Sequence, residues 1–187
     1  MSRWIALYSQ TGKELANIRE TLGRRPDIIL TDNEIMSKVV HNQGSQYMSK
    51  YIIDQWLAAN LKPTDIVTLH GYLGIIKPEA IATGARIFNG HPGLITKYPE
   101  LKGRDPQEKV ALNVEAYDEI GCVIHQVTSE VDGGPIIAVG KSPRPKGLRL
   151  YNDIVATLRA ISEDLWIRLL VEVLNAEISE SDIPRLS

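Results

Sequence analysis

The sequence predicts an α/β protein: a Rossmann-like, open, mostly parallel twisted sheet with helices on both faces. Two observations predict it. Short apolar runs of strand length alternate with longer segments of helical period. Glycine and proline punctuate the joins between them.

Trp4 to Tyr8 is a buried-strand run, and Ser9 to Gly12 is the loop after it. Residues 13–22 carry a helical pattern that stops at Gly23. Pro26 precedes a second strand, Asp27 to Thr31. Residues 45–60 place Tyr47, Met48, Tyr51, Ile52, Gln55, Trp56 and Ala59 on one face of a predicted helix. Pro63-Thr64-Asp65 breaks the chain before a third strand, Ile66 to Leu69, and Pro78 suits the first turn of a short helix. Arg86-Ile87-Phe88 is the fourth strand, and 94–106 reads as loop. Residues 107–117 look helical, Gly121 to Val127 and Ile136 to Val139 are two more strands, and 149–176 is one long or two shorter amphipathic helices. Their apolar face includes Ile154, Leu158, Ile161, Leu165, Leu169 and Leu174. The polar tail from Ile178 to Ser187 is expected to fray.

With 187 residues, a single domain over 1–187 is the expectation. A formal net charge of −2 and the lack of a long basic run argue against nucleic acid as a partner. The single cysteine, Cys122, excludes an intramolecular disulfide and suits a reducing compartment. No apolar stretch reaches membrane-span length and the N-terminal apolar run is short for a signal peptide, so a cytoplasmic protein is expected. The four histidines are dispersed and suggest no metal site. The sequence leaves the oligomeric state open and is compatible with a homodimer.

Chemistry concentrates in two constrained segments, Asn89-Gly90-His91-Pro92-Gly93 and Val131-Asp132-Gly133-Gly134-Pro135. They offer an amide, an imidazole and a carboxylate. Asn89 and His91 follow the fourth predicted strand, where open α/β sheets bind ligands. An amide and an imidazole can hold the oxyanion of an acyl transfer, and a carboxylate can manage protons and pair with a charged imidazole, raising its pKa. Asn89-Gly90 alone, or Asp132-Gly133-Gly134 alone, is an ordinary turn. His125, among apolar neighbours, reads equally as a packed core residue. His70 reads equally as packing or pocket lining, His41 as a surface loop residue, Cys122 as a small buried hydrophobe, and Trp56 and Trp166 as core.

Asn89-x-His91-Pro92, Gly121 to Val127 and Glu130 to Ile137, together with His70 to Ile76 and Lys97-Tyr98-Pro99, resemble the formyltransferase family that uses 10-formyltetrahydrofolate. The pattern is most similar to the glycinamide ribonucleotide branch of that family. The resemblance spans roughly residues 4 to 140. It implies the formyltransferase fold and a one-carbon transfer with 10-formyltetrahydrofolate as co-substrate and no metal. It implies Asn89, His91 and Asp132 as the catalytic residues. It places the folate between Tyr72, Leu73, Gly74, Ile75 and Ile76 on one side and Val127, Thr128, Val131 and Asp132 on the other.

Two departures bear on the acceptor. The family's first loop resembles Gly-x-Gly-Ser-Asn and holds a phosphate at a helix N-terminus. Here it reads Ser9-Gln10-Thr11-Gly12-Lys13-Glu14, so a carboxylate stands at the asparagine position. After His91 the chain reads Pro92-Gly93-Leu94-Ile95-Thr96, and Leu101 to Pro106 lacks the family's histidine-rich stretch. Gly12, Lys13, Lys102 and Arg104 are the expected acceptor contacts. The expected partner is a small-molecule amine bearing a phosphate or carboxylate, other than ordinary glycinamide ribonucleotide. A formyltetrahydrofolate hydrolase and a non-catalytic folate-binding module are the competing readings.

Overall fold

The structure, a computed structural model, describes residues 2–144 and 151–174. Seven strands form one sheet: β1 (Trp4–Tyr8), β2 (Ile28–Thr31), β3 (Ser45–Tyr47), β4 (Ile66–Leu69), β5 (Arg86–His91), β6 (Glu119–Gln126) and β7 (Ile136–Pro143). The helices are α1 (Lys13–Leu22), α2 (Glu34–Ser37), α3 (Lys50–Asn60), α4 (Pro78–Ile81), α5 (Pro106–Leu112) and α6 (Tyr151–Leu174). The spatial order is β3-β2-β1-β4-β5-β6-β7. Pairings from β3 through β5 are parallel, and those of β5 with β6 and β6 with β7 are antiparallel. This is the predicted open, mostly parallel sheet. The chain winds outward from β1 through β3 and then returns to β4 on the other side of β1. The carboxyl ends of β1 and β4 thus flank a topological switch point, where such sheets bind ligands.

Alternation along the buried strands feeds two cores. Trp4, Ala6 and Tyr8 face α1 and α6 through Leu15, Ile18, Leu158, Ile161 and Trp166. Ile5 and Leu7 face α3 and α4 through Ile53, Leu57 and Ala80.

Several boundaries differ from expectation, among them β6 and β7, which run Glu119–Gln126 and Ile136–Pro143 where Gly121 to Val127 and Ile136 to Val139 were expected. Residues 45–47 are an edge strand, not helix: Gly44 turns at φ 90°, and Ser49 caps α3 by accepting from Ile52 N, so the helix starts at Lys50. The face expected to be buried was the wrong one, since Ile53 and Leu57 point inward while Tyr51 and Ile52 are exposed. Trp56 is only partly buried, whereas Trp166 is fully so. β5 runs on through His91 because β6 pairs with it beyond Phe88. The predicted helix 107–117 is α5 followed by a separate 3₁₀ turn, Val114–Ala116. Within the expected loop 94–106, Pro99–Leu101 is also a 3₁₀ turn. Residues 151–174 form one helix, while the ends of the predicted 149–176 segment and the tail 178–187 lie outside the described residues.

Candidate active site

The extension of β5 builds the site. Antiparallel pairing sets Asn89 opposite His125 and His91 opposite Val123. The Asn89 Nδ2 lies 3.2 Å from His125 Nε2. His125 Nδ1 lies 3.1 Å from the Gln126 carbonyl, so Nε2 is the ring nitrogen that faces both the Asn89 amide and Asp132. An amide has two N–H bonds, so Asn89 keeps one for another acceptor.

Asp132 reaches the same point from the β6–β7 connection. Its backbone is left-handed at φ 50°, a conformation that aspartate tolerates better than most residues. Gly134 follows, packed so that a Cβ would collide with the Gln126 carbonyl. The turn therefore fixes where the carboxylate points. Its Oδ1 lies 3.3 Å from His125 Nε2 and its Oδ2 lies 3.5 Å from His91 Nδ1. The loop 101–105 closes the arrangement with main-chain atoms: His91 Nε2–H donates to Leu101 O at 2.8 Å, and Gly103 N–H donates to Asp132 Oδ2 at 3.0 Å.

These contacts set the protonation states. Burial pushes the His91 pKa down, and that outweighs the nearby Asp132 carboxylate and the Leu101 carbonyl, which push it up. The carboxylate does push the imidazole pKa up as expected, but the ring is 5% exposed and desolvation outweighs it, so the net shift is downward. Burial also works against the Asp132 charge, but His125, His91 and the Gly103 N–H together hold its carboxyl below the usual range. The resting pair is a neutral imidazole beside an ionised carboxylate, with an unprotonated Nδ1 toward Asp132.

Two clefts meet at β5. One is lined by Leu69, Tyr72, Gly74, Ile75, Ile76, Asn89, His125, Val127 to Val131 and Asp132. It contains every expected folate contact except Leu73, whose side chain is exposed. The Tyr72 hydroxyl is buried there without a hydrogen-bond partner among the described residues, and burial pushes its pKa up. An unmet buried polar group costs about 1–3 kcal/mol.

The second cleft, about 210 Å³, lies at the switch point. Gln10 to Glu14, His70 and Gly71 form one wall; Gly90, Pro92 and Gln107 form another; Tyr151, Val155, Leu158, Arg159 and Ser162 close it. Of the expected acceptor contacts, Gly12 and Lys13 line this cleft, while Lys102 and Arg104 are exposed on the loop and line neither cleft, because that loop turns its backbone toward the site.

The residue that sequence reasoning left aside is His125, which sits between Asn89 and Asp132. Its signal was register: an antiparallel β6 puts it directly opposite Asn89. Cys122 is buried, donates to Leu158 O, and has its pKa raised by burial, as expected of an inert thiol. Among the described residues no group of three or more His, Cys, Asp or Glu is placed to hold a metal ion. No helix among them is long and apolar enough to cross a membrane.

Fold and site together define a Rossmann-like α/β protein with a buried polar centre at the carboxyl edge of its sheet. The sequence model of the Formyl transferase family matches residues 8–144, and the chain belongs to that family. It is similar to phosphoribosylglycinamide formyltransferase of Escherichia coli (strain K12), 39% identical over 80 residues, which are 42% of this chain and 35% of that protein. It is also similar to the trifunctional purine biosynthetic protein adenosine-3 of Drosophila melanogaster, 29% identical over 135 residues, 68% of this chain and 10% of that one. The aligned stretch of the Escherichia coli relative therefore spans only 35% of its length. Among solved structures, phosphoribosylglycinamide formyltransferase from Streptococcus pneumoniae TIGR4 shares the fold with a TM-score of 0.76 at 23% identity, covering 93% of this chain and 99% of that one. A formyltetrahydrofolate deformylase from Pseudomonas syringae pv. tomato str. DC3000 has the same TM-score at 17% identity, covering 97% of this chain and 64% of that one.

Proposed function

We propose that this chain, read as one domain over 1–187, is an enzyme that moves a formyl group from 10-formyltetrahydrofolate to a small-molecule amine other than ordinary glycinamide ribonucleotide. The observation that carries the reading is the close-packed polar centre Asn89–His125–Asp132–His91, set where two clefts meet. The apolar walls and unpaired Tyr72 hydroxyl of the first cleft fit a flat heteroaromatic ring. The bound folate supplies the formyl carbon. The amine enters from the second cleft.

The chain's own groups then have separate tasks. Asn89 keeps one amide N–H for the formyl oxygen as that oxygen gains negative charge, a contribution of about 3–4 kcal/mol for one such donor. An ammonium substrate gives its first proton to solvent before the free amine attacks, and the unprotonated His91 Nδ1, beside Asp132, takes the second from the amine nitrogen as the new C–N bond forms. The imidazolium so formed is offset by Asp132 and adds a positive charge near the oxyanion. The same proton can return to the folate nitrogen as it leaves. Tight closure by the 101–105 loop excludes water from His91.

The test is a panel of amines with 10-formyltetrahydrofolate, following tetrahydrofolate release and the mass of the formylated amine. Amine-dependent release that is lost in His91→Ala supports the proposal. Release of formate with no amine present replaces it with a hydrolase, and folate binding without turnover replaces it with a binding module.

A further inference from the structure

We infer that Glu14 selects the acceptor: it receives a hydrogen-bond donor of the amine substrate, a hydroxyl or an ammonium, at the place where a phosphate would need an anion site. The inference rests on the reading of the second cleft as the acceptor site.

A buried chain of hydrogen bonds fixes the Glu14 carboxylate. Trp4 Nε1–H donates to Thr68 Oγ1 at 2.8 Å, and Thr68 Oγ1 lies 2.9 Å from His70 Nε2. The hydroxyl that accepts from the indole has its own proton left for the imidazole. His70 then carries its proton on Nδ1, 3.2 Å from Glu14 Oε2. The His70 side chain is fully buried and packs in a tilted contact against Trp166, with ring centroids 4.6 Å apart. Glu14 is 22% exposed and lines the cleft, so one carboxylate oxygen is anchored from behind while the group faces the space in front. A rigidly held carboxylate with an open side is an acceptor for donors.

Part of the neighbouring backbone is already occupied. The first-turn N–H of Lys13 already donates to the Thr11 hydroxyl oxygen. The side of Gly12 where a Cβ would stand is filled by the Asn42 side chain, whose Nδ2 donates to Thr11 O and Met36 O. Glu14, in the first turn of α1, itself answers the positive end of that helix. Among the described residues, the cations lining the cleft are Lys13 and Arg159, with Glu163, bonded to Asn17, near both. They suit a single carboxylate on the far side of the acceptor. The class that fits is therefore an unphosphorylated amine rich in hydroxyl or ammonium groups.

Titration calorimetry with inorganic phosphate tests the exclusion without any turnover. Glu14→Gln keeps the side-chain size and an oxygen for His70 Nδ1–H, so it removes only the charge. The wild-type protein is expected to show no phosphate binding up to roughly 10 mM, and the variant to bind at least about tenfold more tightly. Sub-millimolar wild-type binding, or an unchanged variant, overturns the inference. A second arm compares glycinamide ribonucleotide with its dephosphorylated riboside as acceptors. A lower kcat/KM for the nucleotide in the wild type, reversed in Glu14→Gln, is expected; a wild-type preference for the nucleotide overturns it. If neither amine reacts and the wider panel is also silent, formyl transfer fails by itself while the phosphate titration still decides the role of Glu14.

Discussion

The cleft behind Asn89 is organised by buried rings and backbone turns, while the cleft in front of Gly90 is walled by charged and flexible side chains. In the first, every polar group of the centre has a partner within hydrogen-bonding or ion-pairing range, and the turn at Asp132 admits little adjustment. In the second, Gln10, Lys13, Gln107 and Arg159 face open space. Alternation along one strand produces the contrast: Asn89 and Gly90 are neighbours in sequence and face opposite sides of the sheet. A site divided in this way can fix its chemistry on one side of β5 and choose its substrate on the other.

The largest effects should come from the organised side. His91→Ala, Asp132→Asn and Asn89→Ala are each expected to lower kcat by roughly a hundredfold or more, with the folate dissociation constant within a few-fold, measured by turnover and by equilibrium binding. Near-wild-type turnover in His91→Ala and Asp132→Asn would erase the distinction between the two clefts. His125 orients the other groups, so His125→Ala should cost roughly tenfold, the scale found for supporting partners of a reactive centre. His125→Gln, which can still accept from Asn89, should recover part of that loss. Equal loss in both variants would mean that the ring only packs.

The wall between the clefts is tested at Gly90. A Cβ there would lie 2.8 Å from Trp166 Nε1, against a fully buried indole. Gly90→Ala should cost about 1–3 kcal/mol of stability in denaturant unfolding, because the crowded indole has no room to move. An unchanged midpoint would show that the wall is softer than its packing implies.

Acidification separates the sides more gently. The His91 pKa is lowered in the fold, so the unfolded chain binds the extra proton first. Its contribution to stability is present above about pH 6.5 and falls as the pH drops through the folded value. Asp132, also lowered, acts in the same direction below about pH 3.9. Denaturant midpoints between pH 7.5 and 5 (roughly the first of these windows) should fall more for wild type than for His91→Gln. Parallel curves would remove the buried neutral imidazole from the account. The smallest effect is expected at Arg104 and Lys102, where alanine should leave the acceptor KM within about threefold. A larger change in Arg104→Ala would return that loop to the acceptor cleft.

Much of this was legible in the residues, though unevenly. The strand runs of the sheet centre are short and apolar, so β1, β2 and β4 could be read directly, and with them the carboxyl edge where Asn89 and His91 sit. The edge strand at 45–47 was not legible, because Tyr47 and Met48 fit a helical face that the Ser49 cap in fact excludes. His125 was ambiguous for a related reason. A histidine among apolar residues gains a role only from the strand opposite, and pairing partners are not written locally. That Lys102 and Arg104 line neither cleft was not legible, because positive charge near a motif says nothing about which way its loop turns.

That loop has an evolutionary corollary. Leu101 holds His91 through its carbonyl, and Gly103 holds Asp132 through its N–H, so the grip belongs to the peptide bonds and not to any side chain. What the loop must preserve is a path, set by Gly103 at φ 80° and Asp105 at φ 54°. Its outward residues are free to drift. Two lineages with the same chemistry can therefore look unrelated between residues 101 and 105 while grasping their reactive pair in the same way.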